Sequence, residues 1–195
     1  GSAYEPGSGI TIMAYAGICG NQDLAAHSID TFHVKSLEAI VAYSQTGGGN
    51  SCAVTTATGN TPPTVTGPPA NFTIPKGSPF SLSASATDPN GDSITYDWEE
   101  YDLGAGTTAT PNTDSDGTAR PIFRPYLPTV GGTRTFPALQ YILNNANVPP
   151  TFTGGFLNGE LLPAISRTMN FKVVARDNRA NGGGMLQVRY RTLEQ

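Results

Sequence analysis

Apolar and polar positions alternate with period two through much of the second half of the chain. In the segment 80–86, Phe80, Leu82, Ala84 and Ala86 fall on one face, and Phe171, Val173 and Ala175 do the same further on. Successive side chains of a strand point to opposite faces, so this alternation predicts a half-buried antiparallel sheet. β-prone segments separated by turn signals recur at 71–75, 80–87, 93–101, 121–126, 168–177 and 185–192. Six or seven strands in about 135 residues predict an immunoglobulin-like or fibronectin-like β-sandwich, with Trp98 as the large aromatic buried in its third strand. The stretch 127–163 is too long for a hairpin loop and reads as an insertion, with a short helix over 138–144.

The first half has a different pattern. Over residues 4–18, Ile10, Ile12, Met13 and Ile18 are interleaved with Gly, Pro and small residues, which suits a tight turn packed under something else. The segment 32–43 predicts an approach and then a helix, with Ser36 as N-cap, Glu38 in the first turn, Leu37, Ile40 and Val41 at helical spacing, and Gly47 to Gly49 as the stop. A Thr/Gly/Asn/Pro tract follows, with Pro62-Pro63 and Pro68-Pro69 favouring extended backbone. The expected organisation is a small unit over 1–58, a linker over 59–69 and the sandwich over 70–195, which makes the fold mainly β.

Composition narrows the class. Only 13% of residues are charged, while the chain holds 23 Gly and 16 Pro, as in turn-rich extracellular β proteins. A net charge of −4 with no basic cluster argues against nucleic acid and against an anionic membrane surface. No apolar run approaches the ~20 residues that span a bilayer. The N-terminus also lacks the pattern of a signal peptide, so an export signal is expected outside these residues. Cys19 and Cys52 have no C-x-x-C spacing. In an oxidising compartment they would form one disulfide, closing a loop of about 33 residues with roughly 3–4 kcal/mol of stabilisation; the alternative is two free buried thiols.

The segment Gly9-Ile10-Thr11-Ile12-Met13-Ala14-Tyr15-Ala16-Gly17-Ile18-Cys19 resembles the methionine turn of metzincin zinc metallopeptidases, and the helix after it resembles the end of a reprolysin-like catalytic domain. The similarity runs from Glu5 to Tyr43. The segment 88–100, with Arg134-Thr135-Phe136-Pro137, Arg167-Thr168-Met169-Asn170-Phe171 and Arg176-Asp177-Asn178, looks like the β-sandwich that follows in such secreted bacterial proteins. The resemblance implies a secreted zinc endopeptidase as parent, acting on protein or peptide by a zinc-bound water that an upstream Glu activates. Met13 would be the apolar floor beneath the zinc-binding imidazoles. Tyr15 matches the spacing at which astacin-like and serralysin-like relatives place a tyrosine that reaches the zinc or the reaction intermediate. The zinc motif H-E-x-x-H-x-x-G-x-x-H is absent. This chain is therefore expected to be a fragment, inactive alone, whose missing half would have covered Ile12, Met13 and Ile18.

Other polar residues carry weaker signals. His27 and His33 lack the i, i+4 spacing of a ligand pair and read as surface or capping residues. Asp88, Asn90 and Asp92 offer oxygens at alternate positions which, with Asp177, would suit a hard cation such as calcium; the alternative is an Asn-Gly turn joining two strands. Glu99, Glu100 and Asp102 read as a solvated acidic face. The rival function is an extracellular adhesion module that holds protein or glycan through loops or a sheet edge.

Overall fold

Strand β9 (Thr168–Arg176) organises the molecule because it is paired along both edges. The computed structural model describes residues 3–52, 54–68, 71–104, 120–144, 148–181 and 183–193, the side chains of 185–193 excepted. The earlier strands are β1 (Thr64–Thr66), β2 (Phe72–Pro75), β3 (Phe80–Ser83), β4 (Ser85–Thr87) and β5 (Thr95–Glu100). After them come β6 (Thr133–Phe136), β7 (Phe152–Thr153) and β8 (Phe156–Leu157), with β10 (Gly183–Leu193) last. The main sheet has the order β2-β10-β9-β5, antiparallel except for the parallel β2/β10 pair. Three two-stranded antiparallel ribbons, β1/β4, β3/β6 and β7/β8, complete the described strands. The protein is thus β-rich with little helix.

One face of the main sheet is apolar by alternation. Met169, Phe171 and Val173 of β9 are fully buried and meet Trp98 of β5, which pairs with Val173. The β3/β6 ribbon lies against this face. Phe136 stacks on Phe80 at 4.9 Å between centroids and meets Phe171 at 4.8 Å. Leu82, Ile122, Phe123 and Leu162 close the core, and the Trp98 Nε1–H donates to the Gly132 carbonyl at 2.9 Å, which satisfies its polar edge.

Two departures from the expected strands have clear causes. The segment 80–87 is broken at Ala84, whose N–H donates to the Gly132 carbonyl, so β3 pairs with β6 while β4 turns to pair with β1. Thr64–Thr66, within the tract read as linker, is that β1. The segment 121–126 forms no strand and keeps one bridge, Phe123 to Glu160. Pro121 and Pro125 lack an N–H for a ladder, and the N–H groups of Ile122 and Phe123 go instead to the Glu100 carboxylate at 2.6 and 2.8 Å.

Helix α1 (Val34–Gln45) meets the second face of the sheet through its first turn, its residues from Ala39 onward being exposed, while α2 (Leu139–Leu143) lies in the long insertion. The N-cap of α1 is His33 rather than Ser36: its Nδ1 accepts the Lys35 N–H at 3.1 Å, and Ser36 is already inside the first turn. Glu38 of α1 binds both Lys172 of β9 and the Tyr101 hydroxyl after β5. The Glu99 carboxylate of β5 receives the Val34 N–H. Further bonds join the N-terminal segment to the β part, from Leu157 N–H to the Asp23 carbonyl at 2.8 Å and from Gly104 N–H to the Ala3 carbonyl at 2.7 Å.

These contacts overturn the reading of Glu99, Glu100 and Asp102 as a solvated face. All three are buried, as is Asp97. Irregular segments leave N–H groups without ladder partners, and buried donors must be satisfied. These carboxylates supply the acceptors: Glu100 for Ile122 and Phe123, Glu99 for Val34, and Asp102 for the Asn170 N–H at 3.1 Å and Nδ2 at 2.5 Å.

Candidate functional site

The turn over 9–15 is built on one carboxylate. Glu5 Oε2 accepts the N–H groups of Ile10 at 2.7 Å and Thr11 at 3.1 Å, and its Oε1 accepts the Thr11 hydroxyl at 2.5 Å. The Ala14 N–H returns to the Thr11 carbonyl at 2.9 Å, the Tyr15 N–H to Ser8, and the Ile12 N–H crosses to Thr31. Asp23 holds the next bend by accepting Gly17 N–H at 2.9 Å and Cys19 N–H at 3.0 Å. Gly17 has φ +88°, and a Cβ there would lie 2.1 Å from the Ala26 carbonyl oxygen, so only glycine fits.

Ile10 points inward to a small core with Leu24 and Leu157, and this forces its neighbours outward. Ile12 is 45% exposed, Met13 and Tyr15 65% each, and Ile18 77%. Ile40, Val41 and Tyr43 of α1 are exposed as well. Between the turn and the helix is a cleft of about 570 Å³, lined by Tyr4, Glu5, Met13, Tyr15, His33 and Ile40 among others. The structure therefore places Met13 and Tyr15 on one cleft wall with free access from outside.

Neither histidine belongs to a cluster of metal-binding side chains among the described residues. His27 is exposed. His33 is buried, with Nδ1 occupied by the Lys35 N–H and Nε2 3.2 Å from the Glu100 carbonyl. Burial holds its pKa below the ordinary histidine value. The residues described here do not form a zinc site.

Asp88, Asn90, Asp92 and Asp177 come to one end of the sheet, where each gives at least one oxygen to a protein donor while Asp88 Oδ2 is buried without a hydrogen-bond partner. Asp88 Oδ1 accepts the N–H groups of Asn90 at 2.8 Å and Asp92 at 3.0 Å, and Asn90 Oδ1 accepts Thr61 N–H at 2.9 Å. Asp92 pairs with Arg179 at 2.9 Å, and Asp177 accepts Asn60 Nδ2 at 2.7 Å and Arg179 N–H at 2.8 Å. Among the described residues, no three His, Cys, Asp or Glu side chains converge as a metal would need.

The expected disulfide is not formed: Cys19 and Cys52 are free, exposed thiols. Each sulfur lies near a carbonyl of its own turn, that of Tyr15 at 3.6 Å and that of Gly49 at 3.5 Å. The alternative of buried thiols does not hold either.

A second cleft, of about 470 Å³, was not foreseen. It opens beside the main core and is lined by Tyr96, Trp98, Arg124, Tyr126, Leu127 and Arg134 among others. The two guanidinium groups lie over the Tyr126 ring at 5.5 and 4.9 Å. Its sequence signal was the pair of arginines flanking Tyr126, which period-two counting ignores. No protein-family profile matches this chain, and no curated protein matches it. No helix among the described residues is long and apolar enough to cross a membrane.

Proposed function

We propose that the chain is part of a secreted zinc endopeptidase, for which it supplies the floor of the metal site and a β-rich accessory unit. The observation that carries this reading is the turn pinned by Glu5, which presents Met13 and Tyr15 on an open cleft beside the apolar outer side of α1. A contiguous apolar surface of this kind is what a soluble protein covers with another segment or partner. The zinc ligands and the general base would come from a segment other than residues 3–193, so the chain alone would be inert. Zinc content and chelator-sensitive peptide cleavage, measured on a chain extended upstream of Gly1 in its natural reading frame beside the 195-residue chain, test it. One zinc per extended chain, with cleavage that chelation abolishes, supports the proposal; a folded extended chain with neither refutes it.

The cleft at Tyr126 favours a second reading, an extracellular module that holds protein or glycan. Its volume and aromatic lining fall within the range of ordinary ligand sites. Trp98 is the chain's one tryptophan and lines the cleft, so its emission would report occupancy directly.

A further inference from the structure

The outer edge of β5 is closed at one residue and open at the next on that side. Tyr96 exchanges both backbone bonds with Thr129, its N–H donating at 2.7 Å and its C=O accepting at 2.9 Å. Backbone groups along a strand alternate between its two edges, so those of Trp98 face the same way. The Trp98 C=O accepts Arg134 Nη1, and Nη2 of the same arginine donates to the Arg124 C=O. This guanidinium stands where a partner strand would continue and holds the segment 124–129 off β5. The Trp98 N–H is left between the bridge and that brace, without a hydrogen-bond partner among the described residues, on a residue 2% exposed. An orphaned buried N–H is rare and costly in a folded protein.

The cleft beside Tyr126 opens at this break, and Trp98, Arg124 and Arg134 all line it. Its unpaired groups are mostly donors: besides the Trp98 N–H, Arg124 Nε and Arg134 Nε are buried without hydrogen-bond partners. Asp97 Oδ2 also lacks one, but Arg176 Nη1 faces it at 3.8 Å and matches its charge. Glu160 is paired with Arg134, while Arg124 reaches only the carbonyls of Leu24 and Asn158 and has no ion pair among the described residues. Burial holds the Tyr126 hydroxyl above its ordinary pKa, so it adds no negative charge at neutral pH. Arg124, Arg134 and Arg176 thus outnumber Asp97 and Glu160 around the cleft. The complement of such a site is an anion that brings acceptors, carried on an apolar body that suits Tyr96, Leu127 and Leu139. A sugar fits less well, because each of its hydroxyls brings a donor along with its acceptor.

We propose that the cleft takes the C-terminal end of a peptide whose last side chain is apolar, with the terminal carboxylate at the Trp98 N–H in the field of Arg124. This rests on the second reading above, of the cleft as a binding site, and narrows its ligand from protein or glycan to a chain end. A carboxylate satisfies backbone and guanidinium donors alike through charge-assisted bonds. The Tyr96 to Thr129 bridge closes the groove at one end, which a chain terminus fits and a continuing strand does not. Leu127 and Leu139 are 52% and 51% exposed, so the residues before the terminus have apolar surface to cross on the way out.

Trp98 emission and the Trp98 backbone amide resonance of the 195-residue chain test the proposal. The probes are N-acetyl-Gly-Leu-Xaa peptides, with Val, Leu, Met or Phe as the last residue, each as free acid and as carboxamide. At least one free acid should bind and shift the Trp98 amide, and its carboxamide should bind at least about tenfold more weakly, the size of one charge-assisted hydrogen bond. Arg124→Gln should bring the two forms to within about twofold of each other. If that variant does not fold, Leu127→Asp, at an exposed position, should weaken the free acid at least about fivefold and the carboxamide less. Equal affinity for acid and carboxamide would overturn the proposal while leaving the cleft a peptide site. Octanoate or 3-phenylpropanoate binding more tightly than every peptide would overturn it in favour of a small organic acid. A response to maltotriose but to no peptide would overturn it in favour of a glycan, and no response to any probe at about 10 mM would sink both the proposal and the reading beneath it.

Discussion

Arg134 Nη2 lies 2.8 Å from Glu160 Oε1 in a site nearly closed to water, with the glutamate fully buried and the guanidinium 12% exposed. The arginine also donates to the carbonyls of Trp98 at 2.5 Å and Arg124 at 2.6 Å, and lies over the Phe136 ring at 4.4 Å. Glu160 in turn accepts the Ala138 N–H at 2.7 Å. One ion pair thus ties β5, β6, the segment 120–125 and the start of α2 together. Arg134→Met should cost about 3–5 kcal/mol in urea unfolding, because it strands a buried carboxylate. The double variant Arg134→Met with Glu160→Gln should recover part of that loss; strict additivity would show that the pair is not coupled.

The aromatic centre sets a second magnitude. Phe171 touches Phe80, Phe123 and Phe136, with centroids between 4.8 and 6.2 Å. Phe171→Ala should destabilise the protein by about 3–5 kcal/mol, the range for emptying a large buried site. Phe171→Leu should cost clearly less, as read from the shift of the urea midpoint.

Glu5 governs the turn that carries Met13. Glu5→Ala removes the acceptor for two backbone N–H groups and one hydroxyl, at an expected cost of about 1–3 kcal/mol. The loss should be local: exchange at Ile10 and Thr11 should accelerate while the β9 amides keep their protection. Equal acceleration at both places would mean that the turn and the sheet unfold as one unit.

The pH dependence of stability has a definite sign at Glu100. Burial, then the neighbouring Asp102, holds its pKa well above the ordinary 4.5, while Arg167 pulls the other way. A carboxyl raised in the folded state binds a proton that the unfolded chain gives up. Its stabilising contribution is complete below about pH 4.5 and is lost as pH rises through the folded value. Global stability should therefore fall as pH rises above about 6.5, where His33 is neutral in either state, until Glu100 itself ionises, and Glu100→Gln should flatten the slope.

The thiols offer a direct chemical check. Both are exposed and unbonded, so Cys19 and Cys52 should each take up a maleimide in the native protein, giving two adducts by mass without denaturant. A native chain that adds none until reduced would instead carry the bridge.

Much of the fold was legible from local pattern. The alternation around Phe80 and Phe171 marked strands that exist, Trp98 is buried as expected, and the helix after the turn exists with its N-cap at His33, three residues before the expected Ser36. The candidate site was half legible. Met13 and Tyr15 share a cleft wall, but no sequence pattern indicated that Glu5 pins their turn through bonds to residues five and six positions on. The cleft at Tyr126 was invisible because its lining comes from β5, β6 and the segment 124–129, which are distant along the chain.

By itself the sequence determined which side chains share a face and where turns interrupt, because those properties follow from backbone geometry over a few residues. The tertiary structure alone decided whether each face is covered. Glu99 and Lys172 pair across β5 and β9 on a face that reads as solvent-exposed, yet His33 and the first turn of α1 meet it there and turn an acidic stretch into buried acceptors. Period two cannot carry that information. It records the orientation of a side chain relative to its own strand, whereas burial depends on what another segment, more than fifty residues away, places above it.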